Sequence, residues 1–371
     1  MRRQAIIGIV ICIGAATAAL GGPFTEPGIN GYIDPLTWRH ANPLGAGAVL
    51  NPIFRGWATD VAEYAPADRV WSGLGVWNDP GKALGPATGQ NFDVVSLGEL
   101  DRKEIEQGLA PGSVTLAFGD PNSHAAIQNG KGYDFAVFEN AFLSQFTTQM
   151  GSFQGLMLAE LACVEVSTNG RDFARFPCVS LTPQPVGAYG TIEISNIHNL
   201  AGKHPNANGT CTGTPFDLED LAGHPLVVSG AIDLNDVRYV RIVDVPGSGA
   251  FFDDATTSVA PGTGPQWIRY PANHPIYDLW PTWGSGGFDL EAVGVLCEQQ
   301  LSADINLDGA VDCRDLAALT DAWQRRFADQ RWNSRGDLAR PKDFFVSGRD
   351  FAVFAAQWRH LESWRAESEG E

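Results

Sequence analysis

Residues 160–181 read ELACVEVSTNGRDFARFPCVSL. Two runs rich in Val and Phe flank Asn169-Gly170, a pair that hairpin turns favour because both residues tolerate positive φ. The stretch predicts two antiparallel strands, 161–167 and 173–181. The same pattern recurs outward from it, in SVTLAFG (113–119), YDFAVFENAF (133–142), VRYVRIVDV (237–245) and GFDLEAVGVLC (287–297), separated by turns such as PGSG and GSGG. Short alternating or continuous apolar runs between turn signals predict a mainly β fold, a jelly-roll-like β-sandwich over residues 111–298. Counts of 42 Gly and 23 Pro agree with many short strands joined by tight turns.

Residues 22–110 show little periodicity and are expected to form an irregular lead-in packed on the sandwich. One helix is predicted there, in LGELDRKEIEQGL (97–109), stopped by the Ala-Pro-Gly that follows. The chain starts MRRQAIIGIVICIGAATAALGG, two arginines before an apolar run and then small residues, the layout of a secretory signal over 1–21. The apolar run is shorter than the roughly 18–20 residues that span a bilayer, and Cys12 lacks the context of a lipoprotein signal. A secreted, extracellular or cell-surface location is therefore expected. Loss of Arg2 and Arg3 with the signal would take the formal charge from −18 to −20. That surface disfavours nucleic acid and suits divalent cations.

Five cysteines follow the signal, Cys163, Cys178, Cys211, Cys297 and Cys313, so an even pairing is impossible. Cys163 and Cys178 lie on the two arms of the predicted hairpin and are a candidate disulfide, although a two-residue turn would leave them slightly out of register. No CxxC spacing supports zinc.

After the polar stretch CEQQLSA (297–303) the strand pattern ends. Residues 304–315, DINLDGAVDCRD, then place Asp304, Asn306, Asp308, Asp312 and Asp315 at the first, third, fifth, ninth and twelfth places of a twelve-residue loop. Calcium takes six to eight oxygens at roughly 2.3–2.6 Å, and a loop with oxygen-bearing side chains at alternate places can wrap it. Gly309 suits the sharp turn, Ala310 would offer its carbonyl, Val311 would enter the core and Asp312 would act through water. Asp315 closes the loop and starts a helix, whose positive end suits its carboxylate.

The helix DLAALTDAW (315–323) recurs as DFAVFAAQW (350–358), 35 residues later. With its calcium loop, this duplication resembles a type I dockerin over 303–361. The resemblance implies two packed loop-helix repeats, calcium-dependent folding and docking onto a cohesin-like or other surface receptor. The second repeat departs from the pattern. A shift of 35 leaves Asp343, Ser347 and Asp350 as a weaker second metal set and puts Ala339 and Phe344 where an acid and the Gly stood. A register starting at Asp337 recovers one acid but needs two inserted residues. Cys313 and Arg314 occupy the places where this family reads its partner. Residues 362–371 form a charged tail.

Over about 110–297 the chain resembles secreted bacterial cell-surface proteins, and VEVSTNGRDFARF resembles a hairpin of galactose-binding-like jelly-rolls. Carbohydrate is the ligand this resemblance implies, although fold alone does not fix function. Asp134, Glu139, Glu160, Glu165, Asp217, Asp244, Asp289 and Glu291 are read as turn caps facing solvent, the alternative being a structural calcium site at Glu139, Asn140 and Asp289 or Glu291. His198 and His204 are read as surface loop histidines rather than metal ligands. Trp267, Tyr270, Trp280 and Trp283 could stack on sugar rings or pack on the sandwich. No GxSxG and no HExxH occurs, and no catalytic residue is assigned. The expected protein is a non-catalytic, calcium-binding surface protein. The alternatives are a secreted carbohydrate-active enzyme for polysaccharide degradation, delivered by the dockerin-like module, and a structural surface-matrix protein.

Overall fold

The computed structural model describes residues 22–67, 77–119, 126–254, 273–282, 286–296, 303–306, 310–326, 329–333, 336–339, 343 and 345–359. The signal segment, Trp267, Tyr270, Trp283, Asp308, Gly309 and Phe344 lie outside them. Among the described residues no helix is long and apolar enough to cross a membrane.

Two antiparallel sheets form the larger part. Their strands in chain order are β1 (Ile29–Asn30), β2 (Gly56–Trp57), β3 (Asp60–Ala65), β4 (Val95–Ser96), β5 (Ser113–Ala117), β6 (Phe135–Glu139), β7 (Ala162–Ser167), β8 (Ala174–Arg175), β9 (Thr212–Phe216), β10 (Tyr239–Asp244) and β11 (Asp289–Val295). One sheet runs β1-β9-β6-β11-β2 with β4 also paired to β11, and the other runs β8-β7-β10-β5-β3. Val114, Leu116, Val164, Val166, Val240 and Ile242 from the second sheet share a core with Phe135, Val137, Phe216, Leu290 and Val293 from the first. Full burial of each such side chain stabilises by roughly 1.5–3 kcal/mol, so this inter-sheet layer dominates the fold.

The lead-in does more than cover the sandwich. It supplies β1, β2 and β4 to one sheet and the edge strand β3 to the other. It also buries the outer face of β6, where Phe138 meets Phe54 and Trp57 at ring distances of 5.7 and 5.8 Å. This explains why β6 is apolar from Phe135 to Phe138, since alternate residues face two different cores. Gly294 on β11 belongs to the same contact, because a Cβ there would stand 2.6 Å from the Phe54 ring.

Two expectations are corrected in detail. The predicted 97–109 helix is only Arg102–Glu106 (α1), started by a capping box between Asp101 and Glu104. Leu97 and Leu100 are drawn into the interior instead, and the Leu97 amide bonds Phe288 O. The hairpin turn is longer than two residues: Val166 pairs with Ala174, and Asn169 Oδ1 accepts the amides of Arg171 and Asp172 within the loop.

The C-terminal part has its own core of Ala303, Ile305, Val311, Leu319, Ala322, Leu338, Val346 and Phe354. Its helices are α2 (Cys313–Asp321) and α3 (Gly348–Ala356), each opened by a capping box, Asp312 with Asp315 and Ser347 with Asp350. The halves are tied reciprocally. Gln324 donates its amide to Val346 O at 2.9 Å, and Arg359 donates to Val311 O at 2.8 Å. Gln324 and Arg359, 35 residues apart, both carry positive φ of 55° and 68°. Each helix therefore ends in a left-handed residue whose amide reaches the other half's loop.

Candidate functional site

Two groups of acidic side chains are organised by these elements, one in the C-terminal module and one at an end of the sandwich.

In the first loop of the module Asp304, Ala310 and Asp315 are buried, Asp312 is half-buried and Asn306 is exposed. Asp315 Oδ1 accepts the amides of Ile305 at 2.7 Å and Asn306 at 3.0 Å, and its Oδ2 accepts that of Asp312 at 3.0 Å. One carboxylate thus gathers both ends of the loop. Asp312 caps α2 by accepting the Arg314 amide at 2.7 Å. Cys313 and Arg314 are exposed at the start of α2. The donor set is all oxygen, with buried carboxylates at the first and last places, and that chemistry fits calcium.

The second loop repeats this architecture with a different spacing. Asp350 Oδ1 accepts the amides of Leu338 and Ala339 at 2.7 and 2.9 Å, and its Oδ2 accepts that of Ser347 at 2.7 Å. Leu338 and Ala339 stand 33 residues after Ile305 and Asn306, whereas Asp350 stands 35 after Asp315. The second loop is therefore two residues longer and begins at Asp337, which is buried like Asp304. Of the set Asp343, Ser347 and Asp350, only Ser347 and Asp350 meet at the loop. Asp343 is exposed and forms an ion pair with Arg349 at 3.3 Å. Burial raises the Asp350 carboxyl, but the amides of Ala339, Ser347 and Leu338 outweigh it and hold the group below its ordinary range.

At one end of the sandwich, β6 and β10 finish while β7 and β11 begin, so their terminal acids meet. Glu139, Asp244 and Asp289 are buried there with Asp278 and Glu99 from the adjoining segments, and Glu160 beside them is half-buried. Backbone amides anchor the carboxyls. Glu139 accepts Ala141 N at 2.9 Å, Glu160 Gly287 N at 3.1 Å, Asp244 Phe288 N at 2.8 Å and Asp278 Leu161 N at 2.7 Å. Asp289 Oδ2 accepts Asn140 Nδ2 at 3.2 Å. Burial and then the neighbouring acids push Glu139 and Glu160 well above the usual carboxyl range, and burial takes Asp289 to about 7. Among the described residues no group of three or more His, Cys, Asp or Glu side chains is placed so that it could hold a metal ion as it stands.

The other acids go elsewhere. Asp134 accepts Gly130 N and Leu218 N, Glu165 pairs with Arg175 and Arg241, Asp217 caps a 3-10 turn, and Glu291 accepts Thr88 and Gly89 amides. Facing solvent is thus wrong for most of them: Asp134, Glu139, Glu165, Asp244, Asp289 and Glu291 are buried, because strand ends are covered by the long connections. The histidines are corrected too. His204 is buried between Glu26 O and the Thr214 hydroxyl, where burial lowers it to about 4. His198 Nδ1 pairs with Glu26, which also holds the buried Lys203.

Cys163 and Cys178 do come together, but as free thiols, with Cys178 Sγ 3.5 Å from Asp254 Oδ2. The Cys178 thiol holds the Cys163 thiol below its usual range against the effect of burial, and Arg175 adds to this.

Beside the acidic end a cleft of about 570 Å³ is lined by Glu99, Arg102, Lys103, Glu106, Trp280 and Thr282. Glu99 Oε2 accepts the amide and hydroxyl of Thr282 at 2.7 and 2.8 Å, and Trp280 Nε1 donates to Leu100 O at 3.1 Å. The Arg102 guanidinium lies 5.3 Å from the centre of the Trp280 ring. An aromatic wall with donors and acceptors of both charges can take a polar, hydroxyl-rich ligand. Sequence reasoning had no means of finding Glu99 or Asp278, because neither stands in a motif.

Comparison with family models, with curated proteins and with solved structures finds no match to the chain.

Proposed function

We propose that the protein is a secreted, non-catalytic, calcium-binding attachment protein. Its C-terminal module is dockerin-like, holds calcium in the loop of Asp304, Asn306, Asp308, Ala310, Asp312 and Asp315, and docks on a surface receptor of cohesin-like type. Its sandwich takes carbohydrate in the cleft walled by Trp280. The observation that carries this reading is the paired loop-helix architecture, with a buried aspartate gathering each loop and a reciprocal backbone bond from each helix end. Calcium in the first loop would tie Asp304 and Asp315 to one ion and so join the loop's two ends. In a domain this small the ion's binding free energy acts as folding free energy.

The sandwich reading is tested with the full chain on a glycan array and in a polysaccharide digest. Binding without release of reducing ends, lost in Trp280→Ala, is expected. Release of reducing ends would instead establish the carbohydrate-active enzyme, and neither binding nor release would leave a structural matrix role.

A further inference from the structure

The acidic end of the sandwich carries an inference that does not depend on the module. Glu139, Asp244, Asp278 and Asp289 are buried together with the half-buried Glu160 beside them, and none of the five has a Lys, Arg or His partner among the described residues. An amide anchor favours the anionic form of a carboxyl, and each of Glu139, Glu160, Asp244 and Asp278 has one. Several anions held together out of water require either protons or a counter-ion.

Protons do not complete the arrangement. Asp244 Oδ2 and Asp289 Oδ1 are buried oxygens with no hydrogen-bond partner, while the other oxygen of each is engaged by Phe288 N and Asn140 Nδ2. At Asp244 a protonated oxygen would lack an acceptor and an ionised one lacks a donor, while at Asp289 the nearby Ser96 hydroxyl favours the ionised form. A cation supplies what both oxygens are missing. These two carboxyls come from opposite sheets, β10 and β11, and the Phe288 amide that holds Asp244 is next in sequence to Asp289. Access is also built in. Glu99 lines the cleft, and Gly287, which donates to Glu160, follows Gly286 of the cleft wall.

We propose that this end of the sandwich binds a divalent cation of calcium's hardness between Asp244, Asp289, Asp278, Glu139 and Glu160, joining the two sheets where their strands end. The ligands are carboxylate oxygens only, which suits calcium, and the unpartnered oxygens of Asp244 and Asp289 are the first that it would recruit. As placed, the five carboxyls form no ligand group, so binding requires the anchored side chains to turn toward the ion.

The test is calcium titration by calorimetry on the full chain carrying Asp304→Ala, which removes the module's site. One calcium per chain is expected to remain. It should fall to none when Asp289→Asn or Asp244→Asn is added, each nearly isosteric. Magnesium, which dehydrates reluctantly, should compete poorly. Absence of bound calcium in the Asp304→Ala chain would overturn the proposal without any substitution in the sandwich, so it stays decidable even where a sandwich variant misfolds. Calcium retained by the folded double variants would also overturn it. If Asp304→Ala leaves the wild-type count unchanged while Asp289→Asn lowers it, the module's site fails and this one stands.

Discussion

Replacing Asp350 by Ala should unfold the C-terminal module whether or not calcium is present. Asp350 is 1% exposed and accepts three backbone amides, from Leu338, Ala339 and Ser347, at 2.7, 2.9 and 2.7 Å. Each bond to an ionised acceptor contributes roughly 1.5–3 kcal/mol, and each buried donor left unmade costs about 1–3 kcal/mol. The three bonds act as one unit and are not additive, so about 3–4 kcal/mol is a reasonable total. A core of under sixty residues rarely supplies more than about 3–5 kcal/mol, so this loss is nearly the whole of the module's stability. The exposed ion pair of Asp343 and Arg349 cannot offset it, because surface pairs contribute about 0–1 kcal/mol. Urea unfolding of the full chain, followed by far-UV circular dichroism and Trp323 and Trp358 fluorescence, reads the effect as loss of the module's transition. The sandwich transition should remain. A module transition within about 0.5 kcal/mol of the wild type would refute the reasoning, because the second loop would then not rest on its aspartate.

Glu26→Gln should cost about 3 kcal/mol at pH 7, since it leaves the buried Lys203 without its anion. Burial raises Glu26, but His198 and Lys203 bring it down to about 2, below its unfolded value. The contribution is therefore full above the unfolded pKa near 4.5 and lost as pH falls through about 2. Equal stability of variant and wild type at pH 7 would contradict this. Gly294→Ala should cost about 1–3 kcal/mol by driving a methyl into the Phe54 and Trp57 rings, at 2.6 and 2.8 Å. An unchanged denaturant midpoint would show that the lead-in packs more loosely. Exposure to glutathione disulfide should join Cys163 to Cys178, closing a loop that stabilises by about 3 kcal/mol. Peptide mapping that finds both thiols still alkylatable would contradict it.

The sandwich was legible wherever a strand is long enough to show its period. Tyr239–Asp244 alternates between half-buried and buried, and Phe135–Phe138 is apolar throughout because it lies between two cores. The strands Ile29–Asn30, Gly56–Trp57 and Val95–Ser96 were not legible, since two residues carry no period and only the completed sheet selects them. The first loop of the module was legible as a repeat unit because Asp315, its anchor, opens the helix that recurs 35 residues later. The second was only half legible. Its anchor Asp350 keeps the 35-residue repeat, but its start at Asp337 is displaced by two residues, and the amides of Leu338 and Ala339 reveal the register. The acidic end was suspected through Glu139, Asn140 and Asp289, but Glu291 turned to Thr88 and Gly89, while Glu99 and Asp278 joined from far along the chain. Long-range convergence of this kind leaves no local pattern.

The central claim is that the loop of Asp304 to Asp315 binds calcium and thereby holds the module folded. Differential scanning calorimetry of the full chain and of Asp304→Ala, each in calcium and in chelator, tests it most directly. The module's transition should rise by several degrees with calcium in the wild type and stay unmoved in the variant. A wild-type module transition at the same temperature in calcium and in chelator would contradict the account.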